Sequence, residues 1–119
     1  MRVAFISNAY ESMGFENLSA VLKKAGHEVR LFMDPELFND SDTTISPLGR
    51  FFDFKPQLLA DLKPFKPDLV AFSVITDSFL WAADLARWIK KEMNVPIIFG
   101  GIHATSSPDS VIANDCIDM

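Results

Sequence analysis

The residues DLVAFSV (68–74) and VPIIFGGIH (95–103) are two apolar runs that decide the fold. Between them, residues 76–93 place apolar side chains at helical spacing. Parallel strands need a long crossover between them, and a helix is its usual form. The stretch therefore predicts a strand, a helix and a second parallel strand that ends on Gly100-Gly101.

The rest of the chain repeats this alternation. Short apolar runs predict strands, and apolar residues three or four apart predict helices. We therefore predict an α/β fold with a doubly wound, five-stranded, mostly parallel sheet in the order 2-1-3-4-5, a Rossmann- or flavodoxin-like three-layer sandwich. The predicted strands are Val3–Ile6, Glu28–Met33, Leu69–Val74, Ile97–Phe99 and a fifth from Ile117, and the predicted helices are 15–25, 56–62, 76–93 and 109–113.

Local signals set the ends of these helices. Gly26 is expected to end the first helix in a left-handed conformation. Pro64 and Pro67 are expected to end the helix at 56–62, because proline lacks a backbone donor. Thr76 or Asp77 can cap the helix that follows by accepting its free amide hydrogens.

Residues 34–54 interrupt the alternation with a segment that is acidic at first and then aromatic. Long connections of this kind are usually lids, contact surfaces or disordered. Two interpretations of this segment remain open. It is either a variable surface insertion with a short helix at 35–38 or a contact surface for a partner.

Composition limits the classes of protein that the chain can belong to. The 119 residues, with a net charge of -5 and a pI near 4.8, suffice for one domain, 1–119. Without a basic cluster larger than a lysine doublet, a nucleic-acid surface is not expected. With one cysteine, no membrane-length apolar run and no signal peptide, a cytoplasmic protein is expected. Because the chain stops inside a predicted strand, we expect the N-terminal domain of a longer enzyme.

Known catalytic and nucleotide-binding motifs are absent from the sequence. The loop after the first strand, SNAYESMG (7–14), has one glycine and cannot form a dinucleotide fingerprint, and there is no P-loop. His27 and His103 have no companions at metal-ligand spacing. No catalytic residue and no metal ligand is therefore predicted, and Cys116 is expected to be a small apolar filler of the core.

A different site is indicated by Ser73 and the pair Gly100-Gly101, which end neighbouring strands. Ligands of open α/β sheets bind at this edge. A serine on a buried strand needs a hydrogen-bond partner, which a ligand or the backbone can supply. Glycines let a ligand lie against the main chain where a Cβ would clash. Together these residues predict a slot for a flat, mostly apolar group.

The segments PDLVAFSVI (67–75) and VPIIFGGIHATSSP (95–108) resemble the cobalamin-binding domain at the N-terminus of cobalamin-dependent radical SAM enzymes. In that family a Ser-x-Leu motif contacts the dimethylbenzimidazole of the cofactor's nucleotide tail, and a Gly-Gly makes room for the tail. Here Ser73-Val74-Ile75 carries the first motif with isoleucine for leucine, and Gly100-Gly101 carries the second.

One motif of the wider cobalamin family is missing. Mutases and methionine synthase have Asp-x-His-x-x-Gly after the first strand, and the histidine ligates cobalt. At that place this chain has AYESMG (9–14), without the aspartate or the histidine. The resemblance then implies a tail withdrawn into the slot and no protein imidazole on the metal. Whether Tyr10, Glu11 or water lies beneath the cobalt stays open.

The resemblance also implies the site residues and the partners. The corrin would lie across the carboxyl edge of the sheet, and a following radical SAM domain would carry a [4Fe-4S] cluster and S-adenosylmethionine, most often for methyl transfer. The residues expected to contact the cofactor are Asn8, Ala9, Tyr10, Glu11, Met13, Gly14, Ser73, Val74, Ile75, Thr76, Gly100, Gly101, Ile102 and His103.

The helix at 76–93 carries two apolar stripes where a sheet-covering helix needs one. The stripe expected to pack on the sheet consists of Phe79, Ala82, Ala86, Ile89 and Met93. The second stripe, with Trp81, Leu85 and Trp88, predicts either a surface for the following domain, together with residues 34–54, or packing over neighbouring helices. An alternative function is therefore a degenerate domain without cofactor that acts as a docking or substrate-gating module. A third is another small-molecule or nucleotide binder on the same fold.

Overall fold

The computed structural model describes residues 1–8, 13–34 and 53–119. In these ranges the strands are parallel and form one sheet in the order β2-β1-β3-β4. The predicted α/β class and the edge position of the second strand are confirmed. The elements are β1 (Arg2–Asn8), α1 (Met13–Lys24), β2 (Glu28–Asp34), α2 (Lys55–Phe65), β3 (Leu69–Ser73), α3 (Phe79–Glu92), β4 (Ile97–Gly100), α4 (Ile102–Ser106) and α5 (Pro108–Ile112).

The predicted fifth strand is wrong, since the sheet in the described ranges has four strands. Ile117 is still in a turn, with its N–H donated to the carbonyl of Asn114 at 3.0 Å. Only the last two residues reach the free edge of β4, where Asp118 donates to the carbonyl of Ile97 at 2.9 Å. Met119 also accepts from the N–H of Phe99 at 2.7 Å, but Asp118 and Met119 do not form a strand.

The sheet buries apolar side chains on both faces, as a parallel sheet does. The larger cluster lies between the sheet and the helices α2 and α3, and it includes Leu62 and Ile89, both without exposed surface. The smaller cluster lies on the other face, with Phe5 and Ala71 from the strands and Phe15 from α1. Of the helices that the structure describes, α1 alone contributes to the smaller cluster.

The predicted core stripe of α3 is confirmed, but the second stripe does not form one outer surface. Leu85 is completely buried. The indole Nε1 of Trp81 donates to a carboxylate oxygen of Asp34 at 3.0 Å, and its ring packs against Phe72 at 6.4 Å between centroids. Trp88 is 43% exposed. Trp81 therefore packs against the strands β2 and β3, which neither of the two predictions named.

Several predicted helix ends differ from the observed ones. Gly26 has the expected left-handed conformation, with φ of 86°. Pro64 does not end α2 but lies inside it. The helix closes on Lys66, whose φ is 49°, directly before Pro67. Neither Thr76 nor Asp77 caps α3, which begins only at Phe79 after a turn closed by Ser78.

The connection after β4 contains the short helix α4, which starts directly after Gly101. The interrupting segment 34–54 lies almost entirely outside the described residues, and the helix predicted at 35–38 lies wholly outside them. No helix of the described ranges is long and apolar enough to cross a membrane.

The side chain of Asp118 fastens the end of the chain to β4. One carboxylate oxygen accepts from the N–H of Ile97 at 2.7 Å and from Nζ of Lys90 at 2.6 Å. The hydrogen bond to Lys90 is the main cause that holds the pKa of Asp118 below its ordinary value. A carboxyl group with a depressed pKa stabilises the folded state at neutral pH, and this contribution is lost as the pH falls through the folded-state pKa.

We expect Asp118→Asn to lower the free energy of unfolding at pH 7 by less than about 1 kcal/mol, because the ion pair is partly exposed. The difference from wild type should shrink below pH 3.8, the ordinary aspartate value. Urea unfolding at several pH values measures it, with the exposed Asp115→Asn as the control. A difference that does not change with pH, or one equal to the control's, would contradict the assignment.

Candidate functional site

A groove of about 390 Å³ lies beside α1, on the face of the sheet that carries the smaller apolar cluster. Its floor is formed by strand side chains, and one wall is the apolar stripe of α1. Among its lining residues, the floor includes Leu69, Ala71 and Ile98, and the wall includes Phe15, Leu18 and Leu22. The groove reaches the carboxyl edge of the sheet, where ligands of this fold class bind.

Of the lining residues that lie in the described part of the chain, Ser73 is the one with a polar side chain. It ends β3, where the alternation of a strand directs it to the same face as Leu69 and Ala71. Ser73 is exposed, and its hydroxyl forms no hydrogen bond with any residue that the structure describes. The hydroxyl is therefore open to a ligand in the groove, and the backbone does not satisfy it.

The two glycines at the end of β4 serve different purposes. A Cβ on Gly101, whose φ is 92°, would lie 2.7 Å from the carbonyl oxygen and 2.8 Å from the nitrogen of Val74. The space that Gly101 leaves is therefore filled by the protein's own backbone. A Cβ on Gly100 would meet nothing closer than the carbonyl oxygen of Phe72, at 3.9 Å. Gly100 is the position whose missing side chain leaves room in the groove.

The loops after β3 and β4 are held together by hydrogen bonds. The N–H of Val74 donates to the carbonyl of Gly100 at 2.9 Å, and the N–H of His103 donates to the carbonyl of Val74 at 3.1 Å. The imidazole Nδ1 of His103 lies 3.3 Å from the hydroxyl of Thr76. Its ring packs on Phe79, with 4.4 Å between centroids. His103 is thus a buried link between two loops and does not line the groove.

The remaining predicted site residues are spread around the groove. Gly14 lines it at the start of α1, with Ser73 and the two glycines. Met13, Ile75 and Ile102 are 79%, 51% and 71% exposed, respectively. Of the others, Val74 is buried, Thr76 is exposed, Asn8 is half-buried at the end of β1, and Ala9, Tyr10 and Glu11 lie outside the described residues.

Sequence reasoning missed the apolar walls of the groove. Leu69, Ala71 and Ile98 read as ordinary core residues, and Leu18 reads as the core stripe of a helix. The period of two in a strand was the available signal, because it puts residues two and four positions before Ser73 on its own face. Which part of that face α1 leaves uncovered depends on helix position, which the sequence does not report.

Other titratable groups do not form a second centre. Within the described ranges, no three His, Cys, Asp or Glu side chains are placed to hold a metal ion. The Nδ1 of His27 lies 3.4 Å from the amino nitrogen of Met1. Cys116 is buried as predicted, and burial raises the pKa of its thiol, so the reactive thiolate is disfavoured.

The parallel sheet and the apolar groove at its carboxyl edge define a Rossmann-like ligand-binding domain. The chain matches the family described as the B12 binding domain over residues 2–119. It belongs to that family, and membership supports cobalamin as its ligand. No curated protein and no solved structure matches the chain.

The different surroundings of Gly100 and Gly101 should give alanine variants at the two positions different free energies of unfolding. We expect Gly101→Ala to lower the free energy of unfolding by about 2 kcal/mol or more, because the new methyl group meets the backbone of Val74 at a positive φ. Gly100→Ala should change it by no more than about 0.5 kcal/mol. Urea unfolding followed by circular dichroism compares the two variants. Equal losses would contradict the assignment.

Proposed function

We propose that the groove receives the nucleotide tail of cobalamin and that the corrin ring lies over the carboxyl edge of the sheet. The observation that carries the proposal is an open apolar groove beside Gly100. Of its described lining residues, Ser73 alone has a polar side chain, and its hydroxyl bonds to no residue in the described ranges. Its volume of about 390 Å³ is within the usual range for small-molecule sites.

The chemistry of the tail base fits this lining. Dimethylbenzimidazole is flat and apolar apart from its ring nitrogens, of which one remains free to accept a hydrogen bond when the base is not on cobalt. The hydroxyl of Ser73 can donate that hydrogen bond. Leu18 in the wall and Leu69 and Ile98 in the floor would remove the apolar surface of the base from water. This burial would stabilise the bound state by roughly a few kcal/mol.

The cofactor, once bound, supplies a reactive cobalt centre, and the protein supplies its orientation and a dry setting. Gly100 lets the tail approach the main chain, while Gly101 fixes the loops on either side. Val74, Ile75 and Ile102 stand at the edge that the corrin would cover. The loop 9–14 contains no histidine, so we infer that no protein imidazole ligates the cobalt.

We infer from the resemblance of 67–75 and 95–108 that the domain is the N-terminal cofactor module of a cytoplasmic radical SAM enzyme. Because the enzymes that it resembles are most often methyltransferases, methyl transfer is the reaction that we propose. A following domain would carry the [4Fe-4S] cluster and bind S-adenosylmethionine. Trp88, as the exposed indole of α3, is then a candidate contact for that domain. Three cysteines at the spacing Cys-x-x-x-Cys-x-x-Cys in the gene beyond residue 119 would test this, and their absence would overturn it.

A docking module without cofactor is the second candidate. It is supported by the exposed apolar side chains of Leu18 and Val21 on α1 and by Trp88 on α3. The open groove beside Ser73 favours the cofactor over this reading, because a domain that has lost its ligand gains no stability from keeping a cavity.

Titration with hydroxocobalamin, followed by corrin absorption, tests the proposal. Wild type is expected to change the spectrum at micromolar cofactor. Ser73→Leu and Gly100→Leu should each weaken binding by about tenfold or more, because a leucine side chain fills the groove. Both variants should stay folded, since Ser73 is exposed and Gly100 has free space beside it.

The matched control is Asn94→Leu, an exposed position at the opposite edge of the sheet, which should bind as wild type does. Circular dichroism establishes that each variant is folded. Unchanged wild-type spectra far above micromolar cofactor would overturn cobalamin binding, and normal binding by both groove variants would overturn the groove as its location.

A further inference from the structure

The groove presents few hydrogen-bonding groups to a ligand. Its floor is part of a sheet whose backbone N–H and C=O groups point along the ladder to neighbouring strands and not out of the face. The carbonyl of Gly100 is taken by the N–H of Val74, and that of Gly101 by the N–H and hydroxyl of Thr105. Among the lining side chains that the structure describes, the hydroxyl of Ser73 is then the one group that can pair with a polar atom of the bound base.

We propose that this groove selects among corrinoids by the polarity of the tail base, an inference that rests on the proposed function. A base with one free ring nitrogen, such as dimethylbenzimidazole, matches the single hydroxyl of Ser73. An adenine base carries an amino group and further ring nitrogens in addition. Within the groove those atoms would face side chains such as Leu69, Ala71 and Ile98.

The unmatched atoms of adenine decide the size of the effect. Buried polar groups without partners oppose binding, although a largely apolar site rejects an added polar group only moderately, by about tenfold to a hundredfold. The base must also leave cobalt before it enters the groove, and this step favours the adenine corrinoid, because adenine is the weaker cobalt ligand. The measured preference for the benzimidazole corrinoid is therefore smaller than the preference of the groove itself, and sets a lower limit on it.

A pair of variants on α1 isolates the groove from the chemistry of the cofactor. Leu18 lines the groove and is 55% exposed, so Leu18→Gln adds a donor and an acceptor at the wall without a large loss of core packing. Val21 lies on the same helix, is 66% exposed and is not among the lining residues, so Val21→Gln is its matched control. Cobalt release is the same in both proteins and cancels in the comparison.

The experiment measures dissociation constants of the folded protein for hydroxocobalamin, its adenine-tail analogue and cobinamide, which has no tail base. We expect hydroxocobalamin to bind at least about tenfold more tightly than the adenine analogue, with cobinamide weaker than hydroxocobalamin. Leu18→Gln should narrow the ratio of the two tailed corrinoids by about threefold or more, and Val21→Gln should leave it unchanged.

Each other outcome has a distinct meaning. Equal affinity for the two tailed corrinoids, with cobinamide weaker, would overturn the selectivity and leave the seating of the tail intact. Equal affinity for all three would overturn both the selectivity and the seating. Absence of binding by all three would overturn cobalamin binding itself. A ratio that Leu18→Gln and Val21→Gln change equally would overturn the groove wall as the source of discrimination.

Discussion

The approach of Gly101 to the backbone of Val74 is the contact on which the carboxyl edge of the sheet depends. The two loops meet so closely that a Cβ at residue 101 would lie 2.7 Å from a carbonyl oxygen. Hydrogen bonds from Val74 to Gly100 and from His103 to Val74 hold the loops at this distance. These bonds hold the ends of β3 and β4 together, so Ser73 and Gly100 lie side by side at the end of the groove.

The two faces of the sheet differ in how far the described helices cover them. The face toward α2 and α3 carries the larger core, in which Leu62, Leu85 and Ile89 have no exposed surface. On the other face α1 covers only part of the apolar surface, and the groove occupies an uncovered part. A base seated there would bury apolar surface that the described part of the chain leaves exposed.

The fold was largely predictable because buried parallel strands produce apolar runs that a single sequence reveals, as 68–74 and 95–103 do. Helix ends were less predictable: Pro64 stays inside α2, and Ser78 takes the place of Thr76 and Asp77 before α3. The fifth strand failed because a ladder needs more residues than the two that reach β4. Ser73, Gly100 and Gly101 were predicted as site residues from residue type, and the structure places them along one groove. The different roles of the two glycines could not be predicted. Gly101 allows the loops to approach and Gly100 leaves room in the groove, and this difference depends on interatomic distances of a few ångströms, which no sequence pattern encodes.

The unlike surroundings of the two indoles give the domain an optical reporter of its own. Trp81 is half-buried against the larger core and donates its N–H to Asp34, whereas Trp88 is 43% exposed. Their emission should therefore differ in wavelength and in access to soluble quenchers. Both are on α3, across the sheet from the groove. A ligand that absorbs visible light, bound at the carboxyl edge, would therefore quench their emission by energy transfer without contacting either ring.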